Sequence, residues 1–240
     1  MSEVRRYSDL GSLSEAFAEF FTNVATEAVH NYGRFSVALA GGSTPIRLYE
    51  LLAASYSQAV PWRKTHLFWG DERTVPPDHD DSNYRTAYET LVKHVGIPDD
   101  NVYRVHGELN PVDAAARYQQ TLEDFFGAGT LPVFDLVLLG IGDDGHTASL
   151  FPHTPALQET SRWVVANQVP QENTTRITLT VPVINASRTI CFLVAGERKA
   201  DILREVINGP YRPETYPAQL IEPKNGSLIW FVDEAAAALL

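Results

Sequence analysis

At 240 residues, 44% hydrophobic and 20% charged, the chain has the composition of a globular protein large enough to bury a sizeable core. Its 19 basic and 30 acidic residues give a formal charge of −11, so its mean field opposes nucleic acid or an anionic membrane as partner. No charged-then-apolar leader opens the chain, no apolar run approaches the ~20 residues of a membrane span, and the lone Cys191 excludes an internal disulfide, so a cytoplasmic protein is expected.

Apolar residues at helical spacing (Leu13, Phe17, Phe20, Phe21, Val24, Val29) predict a first helix, with Ser12 or Ser14 as its cap. A short strand over Phe35–Ala40 leads into a helix from Pro45 to about Ser55. His66–Trp69 reads as the next strand, Gly70–Asp81 as a polar loop, and Ser82 as the cap of a helix running to Val95. A strand over Val102–Val105 and a helix over Asp113–Phe126 precede the central apolar strand, Phe134–Leu139. Strands are expected again at Arg176–Val181, Thr189–Ala195 and Leu228–Val232, with a helix over Glu197–Ile207 and a short C-terminal helix. Strand and helix alternate throughout, which predicts an α/β fold: a mostly parallel, Rossmann-like sheet flanked by helices. No repeat, low-complexity tract or long linker interrupts the pattern, so residues 1–240 read as one domain.

In such folds ligands bind beyond the carboxyl ends of the strands. The central strand ends in Gly140-Ile-Gly-Asp-Asp-Gly-His146, whose glycines deliver two acids and an imidazole able to titrate near neutrality. Ala40-Gly-Gly-Ser-Thr-Pro45 couples a tight turn to a helix start, where free amides and the Ser43 and Thr44 hydroxyls suit a phosphate; Ser43 or Thr44 is also a candidate cap. Trp69-Gly-Asp-Glu-Arg73 places an arginine just past a strand, where it can bind a phosphate or carboxylate bidentately. Arg176 and Lys199, the latter one of only four lysines, lie near the same rim.

Other chemistries are excluded by particular residues. Gly140-x-Gly-x-x-Gly145 has dinucleotide spacing, but Asp143 and Asp144 stand where pyrophosphate would approach, and Thr147–Pro152 predicts only a short, early-ended helix. His146, Asp143, Asp144 and His153 lack a second His/Cys cluster to complete a metal set, and no Gly-x-Ser-x-Gly elbow supplies a nucleophile. No cofactor and no metal are expected.

Taken together, Gly41-Gly-Ser-Thr-Pro45, Gly70-Asp-Glu-Arg-x-Val-Pro76 with Ser82-Asn83-Tyr84, and Gly140-Ile-Gly-x-Asp-Gly-His-x-Ala-Ser-Leu-Phe-Pro152 resemble the 6-phosphogluconolactonase family. Arg176-Ile-Thr-Leu-Thr180, Ala195-Gly-x-x-Lys199 and Tyr216-Pro-Ala-Gln219 extend the resemblance, in order, from about Leu13 to the C-terminus. It implies the fold shared with glucosamine-6-phosphate deaminases, hydrolysis of 6-phospho-D-glucono-1,5-lactone to 6-phospho-D-gluconate in the oxidative pentose phosphate pathway, and no metal. The deaminases are the competing reading. Their glutamate five positions after the histidine is Phe151 here, and Arg73 stands where they typically carry tyrosine.

Lactone hydrolysis needs an activated water and a proton for the departing ring oxygen, and one histidine can make both transfers. The expected roles follow: His146 as general base, oriented by Asp144 or Asp143; Arg73 with loop amides at the oxyanion or the sugar. Ser43, Thr44, Arg176 and Lys199 are expected at the phosphate, and Gly42, Asp71 and Asn83 around the substrate. The expected partner is the small sugar phosphate alone, on a monomer or weak homo-oligomer. A non-enzymatic sugar-phosphate sensor is disfavoured, since the first core helix begins by about Leu13 and leaves no room for a DNA-binding module.

Overall fold

The computed structural model describes residues 2–240. The chain opens with β1 (Glu3–Tyr7), α1 (Leu10–Tyr32), β2 (Phe35–Leu39) and α2 (Thr44–Ser55). It continues through β3 (Thr65–Trp69), β4 (Asp71–Arg73), α3 (Asn83–Thr90), α4 (Pro111–Phe126) and β5 (Leu136–Leu139). The second half adds β6 (Val164–Val169), β7 (Thr174–Leu179), α5 (Val181–Asn185), β8 (Thr189–Val194), α6 (Ala200–Ile207) and β9 (Ser227–Asp233).

Six strands form a parallel sheet in the order β1-β9-β8-β5-β2-β3, and β4-β7-β6 form a separate antiparallel sheet. Every residue of β2 and β5 is buried, as an all-parallel sheet covered on both faces requires. One contiguous apolar cluster runs from Phe17 and Phe21 of α1, through the central strands, to Ile177 and Leu179 of the small sheet. Among the described residues no helix is long and apolar enough to cross a membrane.

The order contains a reversal. From β2 the chain passes through α2 to β3 on one side, whereas from β5 it proceeds to β8 and β9 on the other. β2 and β5 are nevertheless hydrogen-bonded neighbours, with Val37 opposite Leu136 and Ala38 opposite Val137. Their following loops diverge and leave a crevice at the carboxyl ends, where ligands bind in open α/β sheets.

Several expectations are corrected. Asp9, not Ser12 or Ser14, caps α1. Its carboxylate accepts the Ser12 amide at 2.8 Å and Ser12 Oγ accepts the Asp9 amide at 3.2 Å, a reciprocal box. The Val102–Val105 strand reduces to one bridge, Leu67 with Val102, before the chain turns off the sheet edge. The helix expected from Ser82 ends at Thr90, with a separate tight turn over Val92–His94. Thr147–Pro152 is not helical, because Ala148 takes a left-handed φ of 46° and Thr147 pairs with Leu150 across a narrow bridge. The C-terminal segment forms turns rather than a helix, with the Ala236 amide drawn to the Asp233 side chain at 2.8 Å. β1, β4 and β6 escaped the sequence reading, and β4 lies inside the expected loop Gly70–Asp81.

The buried carboxylate of Glu72 fixes β4 against α3. It accepts the amides of Arg73 (2.8 Å), Asn83 (2.7 Å) and Tyr84 (2.8 Å) and the Ser82 hydroxyl (3.2 Å). Burial raises its pKa above the ordinary glutamate value, against the pull of the amides of Arg73, Tyr84 and Asn83. The native state therefore binds this proton more tightly than the unfolded chain. The group's contribution to stability is full below the unfolded pKa and declines as pH rises through the native one. Glu72→Gln, which replaces acceptors with an amide donor facing backbone N–H groups, is expected to cost about 2–4 kcal/mol and to flatten that slope. Denaturant unfolding across mildly acidic pH measures both effects, and an unchanged midpoint would contradict them.

Candidate active site

The turn after β5 is built on two glycines that cannot be replaced without displacement. Gly142 donates to the carbonyl of His146 at 2.9 Å and Gly145, at φ 80°, donates to that of Gly142 at 3.0 Å. A Cβ on Gly142 would lie 2.1 Å from His146 Nδ1, and one on Gly145 would meet Tyr216 at 2.9 Å. The close approach lets the imidazole fold back over its own turn. Asp144 Oδ1 then accepts both the His146 amide (3.1 Å) and ring Nδ1–H (2.6 Å). An ionised carboxylate only accepts, so the neutral ring carries its proton on Nδ1 and leaves Nε2 as the basic atom. Burial alone would raise the Asp144 pKa, but the ring hydrogen bond, the imidazole charge and the His146 amide together hold it below the usual aspartate value. The Phe151 ring stacks on the imidazole at 4.0 Å and 24°.

Opposite, across the crevice, β2 runs into α2. Gly42 adopts φ 82° and Pro45 occupies the first turn. Ser43 stands at the cap position, yet neither it nor Thr44 makes the expected capping hydrogen bond. Pro45 has no N–H and the Ile46 amide donates to the Ser43 carbonyl at 3.3 Å, so the amides of Ser43 and Thr44 and both hydroxyls are what remains to meet a ligand.

Along β4, side chains alternate between faces. Glu72 points into the protein, while Asp71 and Arg73 line the cleft. Asp71 accepts from Ser149 Oγ at 2.6 Å and from Asn83 Nδ2 at 3.2 Å. Asn83 in turn nests against Gly41, where a Cβ would come within 1.9 Å of its Oδ1. Arg73 donates through Nη1 to the carbonyl of Asp81 at 2.6 Å, and its buried Nε has no partner.

The fourth contribution comes from beyond β8, where Gly196 (φ 95°) turns the chain and Lys199 Nζ donates to Asp143. This bond lowers the Asp143 pKa.

A cleft of about 240 Å³ joins these loops. Of the residues expected from sequence, His146, Arg73, Gly42 and Ser43 line it, as do Thr44, Asp71, Asn83 and Lys199. Asp144 reaches it through His146, and Asp143 is committed to Lys199 instead. Arg176 is not among the lining residues. It lies opposite Arg73 in the small sheet and pairs with Glu172. Arg198, passed over in the sequence, lines the cleft beside Lys199; its position within the same post-strand turn was the available signal. Ser149, also passed over, carried no signal, since its partner comes from a strand that the sequence hid. Among the described residues no three His, Cys, Asp or Glu side chains gather as a metal-holding group.

A family model described as glucosamine-6-phosphate isomerases/6-phosphogluconolactonase matches residues 8–230. The chain belongs to this family. Within it, the 6-phosphogluconolactonase of a Nostoc species is 46% identical over 216 residues, covering 89% of this chain and 88% of that one. The crystal structure of 6-phosphogluconolactonase from Thermotoga maritima, 30% identical, covers 97% of this chain and all (100%) of its own with a TM-score of 0.84. A monomeric glucosamine-6-phosphate deaminase, only 20% identical, gives a TM-score of 0.83 over 99% of this chain and 100% of its own. The family fold is thus common to both enzyme types, and the discrimination lies in the site.

Because the imidazole packs directly over Gly142, Gly142→Ala is expected to displace His146 while leaving the strand beneath intact. A displacement near 1 Å lowers turnover about 100-fold. Activity measured beside thermal unfolding tests this, and a folded variant with normal turnover would refute the packing argument.

Proposed function

We propose that the protein hydrolyses 6-phospho-D-glucono-1,5-lactone to 6-phospho-D-gluconate, serving the oxidative pentose phosphate pathway in the cytoplasm as a single catalytic domain. The lactonase class itself is shown by the named relatives at good identity. The observation that carries the mechanism is a histidine–aspartate pair facing an uncapped helix N-terminus across one cleft.

The uncapped start of α2, with Ser43, Thr44 and the amide of Gly42, takes the phosphate together with Lys199 and Arg198. Asp71 and Asn83 receive the sugar hydroxyls. His146 Nε2 removes a proton from water, whose oxygen bonds to the lactone carbonyl carbon, and the carbonyl π pair moves onto oxygen. The Arg73 guanidinium, which lines the cleft, and nearby amides stabilise that oxyanion, a contribution of about 3 kcal/mol for a well-aimed donor. When the tetrahedral species collapses, the bond from carbon to ring oxygen breaks and His146 returns its proton to the departing oxygen. Asp144 holds the ring in the required tautomer and stabilises the transient imidazolium. Arg176, paired with Glu172 and not among the residues that line the cleft, is given no part at the phosphate.

The deaminase reading fails at Phe151. Ring opening in that branch calls for a carboxylate beside the histidine, and here an apolar ring covers the imidazole face.

Freshly prepared lactone at mildly acidic pH, where background hydrolysis is slow, should be consumed rapidly, whereas glucosamine 6-phosphate should release no ammonia. The opposite result overturns the assignment. His146→Ala should reduce kcat by about 10²–10⁴-fold, the usual worth of a positioned base. Asp144→Ala should reduce kcat at least about 10-fold with little change in KM.

For the phosphate, Lys199→Ala and Arg198→Ala should each raise KM about 10-fold with kcat largely kept, since they remove binding common to ground and transition states. An unchanged KM in either variant would exclude that cation from the phosphate. The lowered Asp144 pKa also fixes a sign. Its hydrogen bond to His146 is present above the unfolded pKa and lost only as pH falls through the lower native value. Mild acidification therefore leaves the Asp144 carboxylate ionised and its hold on the imidazole intact.

A further inference from the structure

We propose that Ser149 is a positioning residue that locks the Asp71 carboxylate into register with the His146 turn. This rests on the lactonase reading of the same cleft. Asp71 belongs to the small antiparallel sheet and His146 to the loop above the large one. Three residues after His146, the Ser149 hydroxyl donates to Asp71 Oδ2 at 2.6 Å. Because an ionised carboxylate has no proton to give, the hydroxyl hydrogen is committed and its direction fixed.

The serine backbone is clamped from both sides. Its N–H donates to Thr178 Oγ1 at 3.2 Å, and its carbonyl accepts Asn167 Nδ2 at 2.9 Å. Thr178 lies directly opposite Asp71 in the small sheet, and Asn167 donates also to Thr154 Oγ1 at 3.0 Å. Ser149, Asn167 and Thr178 are all but sealed from solvent, at 1%, 2% and 1% exposure. Buried polar groups satisfied in this way rigidify what they join.

The clamp also accounts for Ala148, which lines the cleft at φ 46° although it is not glycine. Such a conformation is unfavourable for an alanine and persists where its surroundings over-determine it. Here the held amide and carbonyl of Ser149 do so. The strained residue lets the chain reverse between His146 and Ser149, so that one side chain faces the cleft while the other reaches Asp71. One hydroxyl thereby joins the group that receives the sugar to the group that activates water, across two sheets that share no strand pairing.

A double-mutant cycle tests this, with Ser149→Ala, Asp71→Ala and the double variant compared with wild type. Ser149→Ala is expected to lower kcat/KM about 10-fold, mostly in kcat, with thermal unfolding little changed. In the Asp71→Ala background the same substitution should change kcat/KM by less than about twofold, because its route of action is already gone. Equal losses in both backgrounds, or no loss in the first, overturn the proposal and leave Ser149 a merely structural residue. Should Ser149→Ala fail to fold, Ser149→Cys, similar in volume but a weaker donor, takes its place with an intermediate loss expected. Calorimetric affinities of the same proteins for 6-phosphogluconate and for glucosamine 6-phosphate separate the two readings. If wild type hydrolyses no lactone, the function fails, while coupling between the two sites in affinity for either sugar phosphate still decides the role of Ser149.

Discussion

β2 and β5 pair as parallel neighbours, yet the chain leaves them toward opposite edges of the sheet. A covered parallel sheet has no room for polar groups between its strands, so chemistry is confined to the rim. At this reversal the following loops diverge, and the α2 N-terminus and the His146 turn both line the crevice between them. The small sheet then closes the side of this crevice through Asp71 and Arg73, and β8 closes another through Arg198 and Lys199. Alter the strand order and each motif would survive in sequence while the site vanished.

The charge of the whole molecule makes this local arrangement necessary. A chain at −11 repels a phosphorylated ligand at long range, so attraction has to be created within a Debye length. In the cleft and at its edge the acids are largely spoken for: Asp71 by Ser149 and Asn83, Asp144 by His146, Asp143 by Lys199. The donors left unengaged along the cleft are the Arg198 guanidinium and the Ser43 and Thr44 hydroxyls and amides at the head of α2. The pair of Asp143 with Lys199 sits at the mouth, with Asp143 64% exposed, where an ion pair is worth only about 0–1 kcal/mol. Under the proposed reading an incoming phosphate takes over the lysine at small cost, and Asp143 keeps the ammonium oriented until then.

The readable parts of the sequence were those in which one residue type answers to one local demand. The apolar run at Leu136–Leu139, the glycines after it and the Pro45 helix start each carry their own reason. Most of the large sheet followed from such signals. The small sheet did not, because β4 is three charged residues whose strand character comes entirely from pairing with β7. Asp71 was expected around the substrate without a reason to prefer it to Glu72; alternation along the strand supplies one, with Glu72 turned inward. Nor could the sequence foresee that Ser43 would leave its helix uncapped, since a cap and a free anion site are written with the same residues. Arg176 stood out by its motif, but register sets it beside Arg73, and its guanidinium turns to Glu172. Such facts depend on partners distant in sequence.

The contact between His146 and Phe151 shows how one fold can divide its chemistry. Deamination with ring opening asks the histidine to work beside a second proton-transfer group. A phenyl ring stacked at 4.0 Å supplies none, and it excludes water from that face of the imidazole. What it leaves is a ring whose plane is set by packing, whose Nδ1 is set by Asp144, and whose only unassigned atom is Nε2. A single base with one outlet suffices where the leaving group stays tethered to the substrate, because the proton taken from water can be returned to the ring oxygen a bond away. In the proposed mechanism the aromatic ring thus does more than disfavour the competing reaction: it narrows the histidine to the one transfer sequence that opening a lactone requires.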